Sequence, residues 1–257
     1  MDMFRWVVIL CTALIPTIFY TMYIRNIELY ERERWRWISV GYIWGAVIAL
    51  PFLYILALMF SGEFLREHEY YALNSSIGAV LLICLLLPFT GELIKIIGMC
   101  IVKSQVDEVE DGLIYGATIG LGFAAIVNIF YMNQGFDWES KALALLIIPS
   151  ISTALLHASS TAVAGYGISR MMVDGDNSSI ILYFFAGVLI HGLFNTLSLT
   201  SLIFRDTLGY TYYLLGLVII LVASNLVFRT VRARMHTLIK ILDEETEKER
   251  RKLLEDW

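Results

Sequence analysis

Apolar residues in this chain come in runs of about 20, the length a helix needs to cross the hydrocarbon core of a bilayer, and polar residues gather between the runs. The pattern predicts about seven transmembrane helices, over roughly 4–24, 38–60, 77–101, 112–132, 142–169, 180–204 and 208–228. The expected fold is therefore all-α, a transmembrane helical bundle over 1–228 followed by a charged cytosolic helical tail over 229–257. The first run is too long for the h-region of a signal peptide and leads straight into an Arg-rich loop. Segments 61–75 and 133–140 read as short outer loops. In the tail, Val231, Met235, Leu238 and Leu242 make a narrow apolar stripe, and Glu244 pairs with Lys248 at i,i+4, which predicts a solvated helix leaning on the membrane surface.

Lys and Arg set the expected orientation. Arg25, Arg32, Arg34, Arg36, Lys103, Arg170, Arg229, Arg232 and Arg234 fall on one side; Arg5, Arg66, Lys141 and Arg205 fall on the other. This places the N-terminus outside and the C-terminus in the cytoplasm of a multi-pass protein of the cell membrane, with Trp35 and Trp37 as interfacial anchors. The composition agrees: 58% of residues are hydrophobic and 17% charged, against the roughly 25% charged of a soluble domain. The net charge of −5 includes no basic face, so nucleic acid is excluded as a partner. Cys11, Cys84 and Cys100 all lie in apolar runs and read as small buried hydrophobes, not as a disulfide or zinc framework.

Against this background four polar residues stand out inside the apolar runs: Glu92, His157, His191 and Asn195. Placing an ionisable group at bilayer depth costs about 2.5–3.5 kcal/mol even on lenient scales, so such residues are functional candidates. Pro88 should kink the third span and free the carbonyl of Cys84. Glu92 follows one turn later, with Lys95 three residues on along the same face. The plain structural alternative is an ion pair whose Lys95 end snorkels toward the surface. His157 lies in a row of Thr153, Thr161 and Gly165, and His191 and Asn195 point the same way at i,i+4. Counting about 1.5 Å per residue puts Glu92, His157 and His191 each about 13–17 Å from the expected cytoplasmic ends, near the middle of a core about 30 Å thick. A carboxylate with a His can deprotonate water, and a second His with an amide can stabilise an oxyanion. The same trio would also hold a divalent metal such as zinc, and the ligand count does not separate the two readings.

The fourth span repeats small residues at four-residue intervals, Gly112, Gly116, Gly120 and Ala124, a helix-packing signal that Asn128 continues. Ser159 and Ser160 lie beside His157 in sequence, but no G-x-S-x-G turn accompanies them, which argues against a serine hydrolase.

In the order IRNIELYERERW, WGA, GELIK, YGATIGLGFAAIVNIFY, LLHASSTAVAGYG and IHGLFN, these stretches resemble the PrsW family of intramembrane proteases, within the CAAX prenyl endopeptidase superfamily. The resemblance implies that Glu92 is the acid of the family's glutamate motif with Lys95 as its basic residue. His157 would position the hydrolytic water, and His191 and Asn195 would polarise the scissile carbonyl. The substrate would be a membrane-anchored protein. Two family acids are absent: Gly91 stands before Glu92, and Val127 stands before Asn128. What remains is also similar to the anterior-pharynx-defective subunit of γ-secretase, which gives the rival expectation of a non-catalytic scaffold binding a partner helix. A small-molecule or ion carrier is a third expectation, weakened by the absence of an inverted repeat.

Overall fold

The computed structural model describes residues 3–27, 32–59, 80–135, 144–208 and 210–255. Among them seven helices are long and apolar enough to cross a membrane. We label these α1 (Met3–Arg25), α2 (Trp35–Met59), α3 (Leu82–Gln105), α4 (Asp111–Gly135), α5 (Ala144–Asp174), α6 (Asn177–Leu208) and α7 (Tyr210–Glu255). No strand occurs among the described residues. The all-α expectation holds, and the helix positions follow the apolar runs. Segment 61–75 lies outside the described residues, as does 133–140 beyond its first three positions, which extend α4.

The bundle is built around α4. Its glycines lie against neighbouring backbone, and Gly112 against the Ser169 side chain as well. A methyl group added to Gly112, Gly116 or Gly120 would run into the carbonyls of Gly165, Thr161 and His157 in turn. The four-residue period of α4 thus matches the four-residue row on α5, and the two helices pack antiparallel at backbone contact. The opposite side does the same against α2: Gly122 abuts the Tyr42 carbonyl, and Gly45 abuts that of Ile119. Asn128, beyond the C-terminal end of the ladder, donates to the carbonyl and hydroxyl of Ser150 (3.1 and 3.0 Å), and Ser150 donates to the Thr12 carbonyl on α1 (2.7 Å).

Three features differ from the reading of the sequence. Cys11 and Cys100 are exposed on the outside of the bundle rather than buried, because their helix faces look toward lipid. The tail stripe is not merely laid on the membrane: α7 runs on unbroken, Met235 and Ile239 are buried in the main apolar cluster, and Val231 and Leu238 pack against it. Glu33, which had no role in the sequence reading, is buried beside the start of α4 and accepts a hydrogen bond from the Tyr115 hydroxyl. Burial pushes its carboxyl above the usual carboxylate range, with Tyr115 pulling it back.

The ladder yields a paired test. Gly120→Ala should destabilise the protein by about 1–3 kcal/mol, since its methyl meets a carbonyl that cannot move aside. Gly41→Ala should be neutral or stabilising, because a Cβ there stands 3.6 Å from the side chains of Thr118 and Ile119 and removes a helix-interior glycine. Reversible unfolding in detergent reads both, and equal behaviour of the two would contradict backbone-to-backbone packing.

Candidate active site

The site begins with the broken geometry of α3. Residues Leu82–Leu86 form a π turn, Leu87–Ile96 an α-helix, and a further break precedes Met99–Val102. Pro88 was expected to free the Cys84 carbonyl. The π register changes which carbonyl is freed. The Leu87 N–H bonds to the Leu82 carbonyl, and the next donor in that register is Pro88, which has no N–H. The carbonyl left over is that of Ile83, and Asn195 of α6 donates its Nδ2 to it at 2.9 Å. The Cys84 carbonyl instead lies against Gly192, where a Cβ would strike it.

One turn beyond Pro88, Glu92 is completely buried and takes hydrogen bonds from three helices. Its Oε1 accepts from Lys95 Nζ at 2.5 Å, His191 Nδ1 at 2.8 Å and Ser160 Oγ at 2.9 Å. Its Oε2 accepts from Thr161 Oγ1 at 3.0 Å. Lys95, also at 0% exposure, donates to His157 Nδ1 at 3.1 Å, so it does not snorkel to the surface. The rings of His157 and His191 meet edge to face with centroids 4.8 Å apart. Phe123 of α4 closes one wall, with its ring edge-on to His157 and 5.1 Å from Lys95 Nζ.

The hydrogen bonds fix the proton inventory. An ionised carboxylate only accepts, so His191 presents its proton at Nδ1 and keeps a lone pair on Nε2. Lys95 only donates, so His157 accepts at Nδ1 and carries its proton on Nε2. The net charge of the Glu92–Lys95 pair is zero, which is how a bilayer-depth pocket tolerates both.

The structure therefore brings together Glu92, Lys95, His157 and His191. Asn195 stands apart from this set on the Ile83 carbonyl, and Asn128 stands apart on Ser150. The sequence reading missed Ser160 and Thr161 as holders of Glu92. The signal was present: they lie three and four residues after His157, on its own helix face. Ser160 was weighed only as a nucleophile, whereas its hydroxyl proton is engaged by a carboxylate.

The donor set also suits a metal ion. One ligand atom from each of Glu92, His157 and His191 lies within 4.8 Å of the others, and all three residues are buried. A carboxylate and two imidazoles form a known catalytic zinc set, leaving a position for water. Lys95 claims two of the same lone pairs, on Glu92 Oε1 and His157 Nδ1, so an ion bound through those atoms and the ammonium exclude one another. Of the two positions where the resemblance leads one to expect acids, Gly91 has room for a Cβ, which would stand 3.6 Å from His191 Cε1 and 3.7 Å from Phe52 Cζ. Val127 instead sits in an apolar cluster with Leu53, Leu56 and Phe123.

A family model described as PrsW family intramembrane metalloprotease matches residues 33–224, which takes in every residue of the cluster. Protease PrsW of Clostridioides difficile (strain 630) is 26% identical over 191 residues, covering 71% of this chain and 76% of that protein. No solved structure matches.

The ion pair can be weighed by a double-mutant cycle. Lys95→Met should cost about 3–5 kcal/mol, because it strands a buried carboxylate. Glu92→Gln with Lys95→Met should cost well under the sum of the single changes. Additive losses in equilibrium unfolding would show that the pair does not interact as drawn.

Proposed function

Because the chain belongs to the PrsW family of intramembrane metalloproteases, we propose that it hydrolyses peptide bonds of membrane-anchored proteins at the Glu92–His157–His191 cluster. The observation that supports this most is convergence. Three helices each contribute one buried donor atom to a common point, with those atoms within 4.8 Å of one another. Packing alone gives no reason for a carboxylate and two imidazoles to meet there, since each raises the cost of burial.

In this reading Glu92 takes a proton from the attacking water, and His157 orients that water. Ser160 and Thr161 hold the carboxylate so that its oxygens stay aimed at the pocket. His191, whose Nδ1 proton goes to Glu92, would offer its Nε2 lone pair to the water, and the N–H that Asn195 has left after capping Ile83 would polarise the scissile carbonyl. Glu92, His157 and His191 are the residues that would hold a divalent ion such as zinc. A metal in such a set supplies an acidified water that attacks at neutral pH. Lys95 would then be the residue that yields its place.

In this reading the substrate segment would enter laterally between helices. The same reading places the protein in the cell membrane with its N-terminus outside, and treats residues 1–228 as the catalytic bundle and 229–257 as a cytosolic extension. It also places the family within the CAAX endopeptidase superfamily and relates it to the anterior-pharynx-defective subunit of γ-secretase. A scaffold role is not favoured, because the matching family and the similar curated protein are both described as proteases.

The test is cleavage of membrane-anchored substrates in proteoliposomes. Glu92→Gln, His157→Ala and His191→Ala should each lower the rate by about 10²–10⁴-fold. Asn195→Ala should lose less, since half of its amide serves the backbone of α3. A zinc chelator should stop the reaction and added zinc restore it. Cleavage that survives all three substitutions would overturn the site, and cleavage that depends on Glu92 yet ignores the chelator would overturn the metal.

A further inference from the structure

A second feature lies away from the Glu92 cluster, where α1 and α7 come together at the ends bearing Arg25 and Arg229. Two rows of side chains face each other. Tyr20 meets Phe228 edge-on with centroids 5.3 Å apart. Three residues on along α1 and four along α7, the Arg232 guanidinium lies over the Tyr23 ring at 5.1 Å. Another turn brings Asn26 into line with His236. The rows therefore change from aromatic to basic and polar at the level where the helices leave the apolar layer.

Between the rows opens a groove of about 440 Å³. Phe19, Met22, Tyr23 and Ile27 give its apolar lining; Asn26, Arg232 and His236 give its polar lining. Among the described residues no carboxylate pairs with Arg232; the contact it makes is with the Tyr23 face. The stretch from Arg229 to Lys240 holds Arg229, Arg232, Arg234, His236 and Lys240 and no acid. The apolar walls continue into the membrane on exposed side chains, with Phe19 at 62% and Met22 at 48%, then Ile15 and Ile18 of α1 and Val222 and Leu226 of α7.

We propose that this groove is a specific site for an anionic phospholipid. The phosphate sits between Arg232 and His236 with Asn26 donating to it, and an acyl chain follows Phe19, Met22 and Ile18. A guanidinium matches a phosphate with paired hydrogen bonds, and its aromatic support on Tyr23 holds it in place. A basic pocket between transmembrane helices next to an apolar channel suits a headgroup and a tail together. Such a lipid would tie α1 to α7 at a level where few direct contacts join them. The proposal is independent of the protease reading.

The test uses the full chain in nanodiscs of phosphatidylcholine with or without phosphatidylglycerol, followed by mild delipidation and native mass spectrometry. The wild type should retain one phosphatidylglycerol with about tenfold preference over phosphatidylcholine, a difference of about 1.4 kcal/mol. Arg232→Gln with His236→Gln should lose the preference, Arg232→Lys should keep part of it, and Arg251→Gln should keep all of it. Unchanged unfolding of the double variant in pure phosphatidylcholine would show that its fold is intact. Equal retention of the two lipids by the wild type, or full retention by the double variant, would overturn the site. Displacement by inorganic phosphate alone would overturn the lipid as its ligand.

Discussion

A carboxylate with no surface open to bulk solvent must be satisfied by its neighbours, and Glu92 meets that requirement with donors from three helices. Lys95 answers its charge from the next turn of α3. Ser160 and Thr161 reach across from α5, and His191 reaches from α6. Each bond needs its helix at a set depth and rotation. The cluster is thus a registration point for the bundle as well as the candidate site, and moving any of the three helices by half a turn would strand a buried charge.

What makes such registration achievable is the close packing of α4. With no side chains at Gly112, Gly116 and Gly120, α4 and α5 approach until backbone meets backbone, and the contact at the inner face of α5 is made by His157 itself. The glycine that abuts the His157 carbonyl fixes where its imidazole stands. Phe123, one turn further along α4, then covers that imidazole and the Lys95 ammonium. Packing and chemistry share the same residues here.

Much of this was legible in the sequence because the physical penalties are large. Apolar runs of membrane length define the helices, and Glu92, His157 and His191 are conspicuous because burying them is unfavourable. The Gly112–Gly116–Gly120 period needs no partner to be read. Less was legible where the outcome depends on register between distant segments. Pro88 predicts an orphaned carbonyl, but not the π turn that shifts it from Cys84 to Ile83, nor the Asn195 of α6 that caps it. Ser160 and Thr161 resemble any small residues of a packed membrane helix until Glu92 is opposite them. The cysteines misled for a related reason: an apolar run has a lipid face as well as an inner one, and hydropathy does not tell them apart.

The central claim is that an acid and two imidazoles from separate helices converge on one point able to hold one ion. Cobalt(II) titration of the purified protein, followed by its visible ligand-field absorption, tests this directly. The account predicts one ion per chain with the strong bands of a four-coordinate site, and loss of those bands in Glu92→Gln, in His157→Ala and in His191→Ala alike. Bands that persist through any of the three substitutions, or a weak spectrum of a solvated ion in the parent protein, would contradict it.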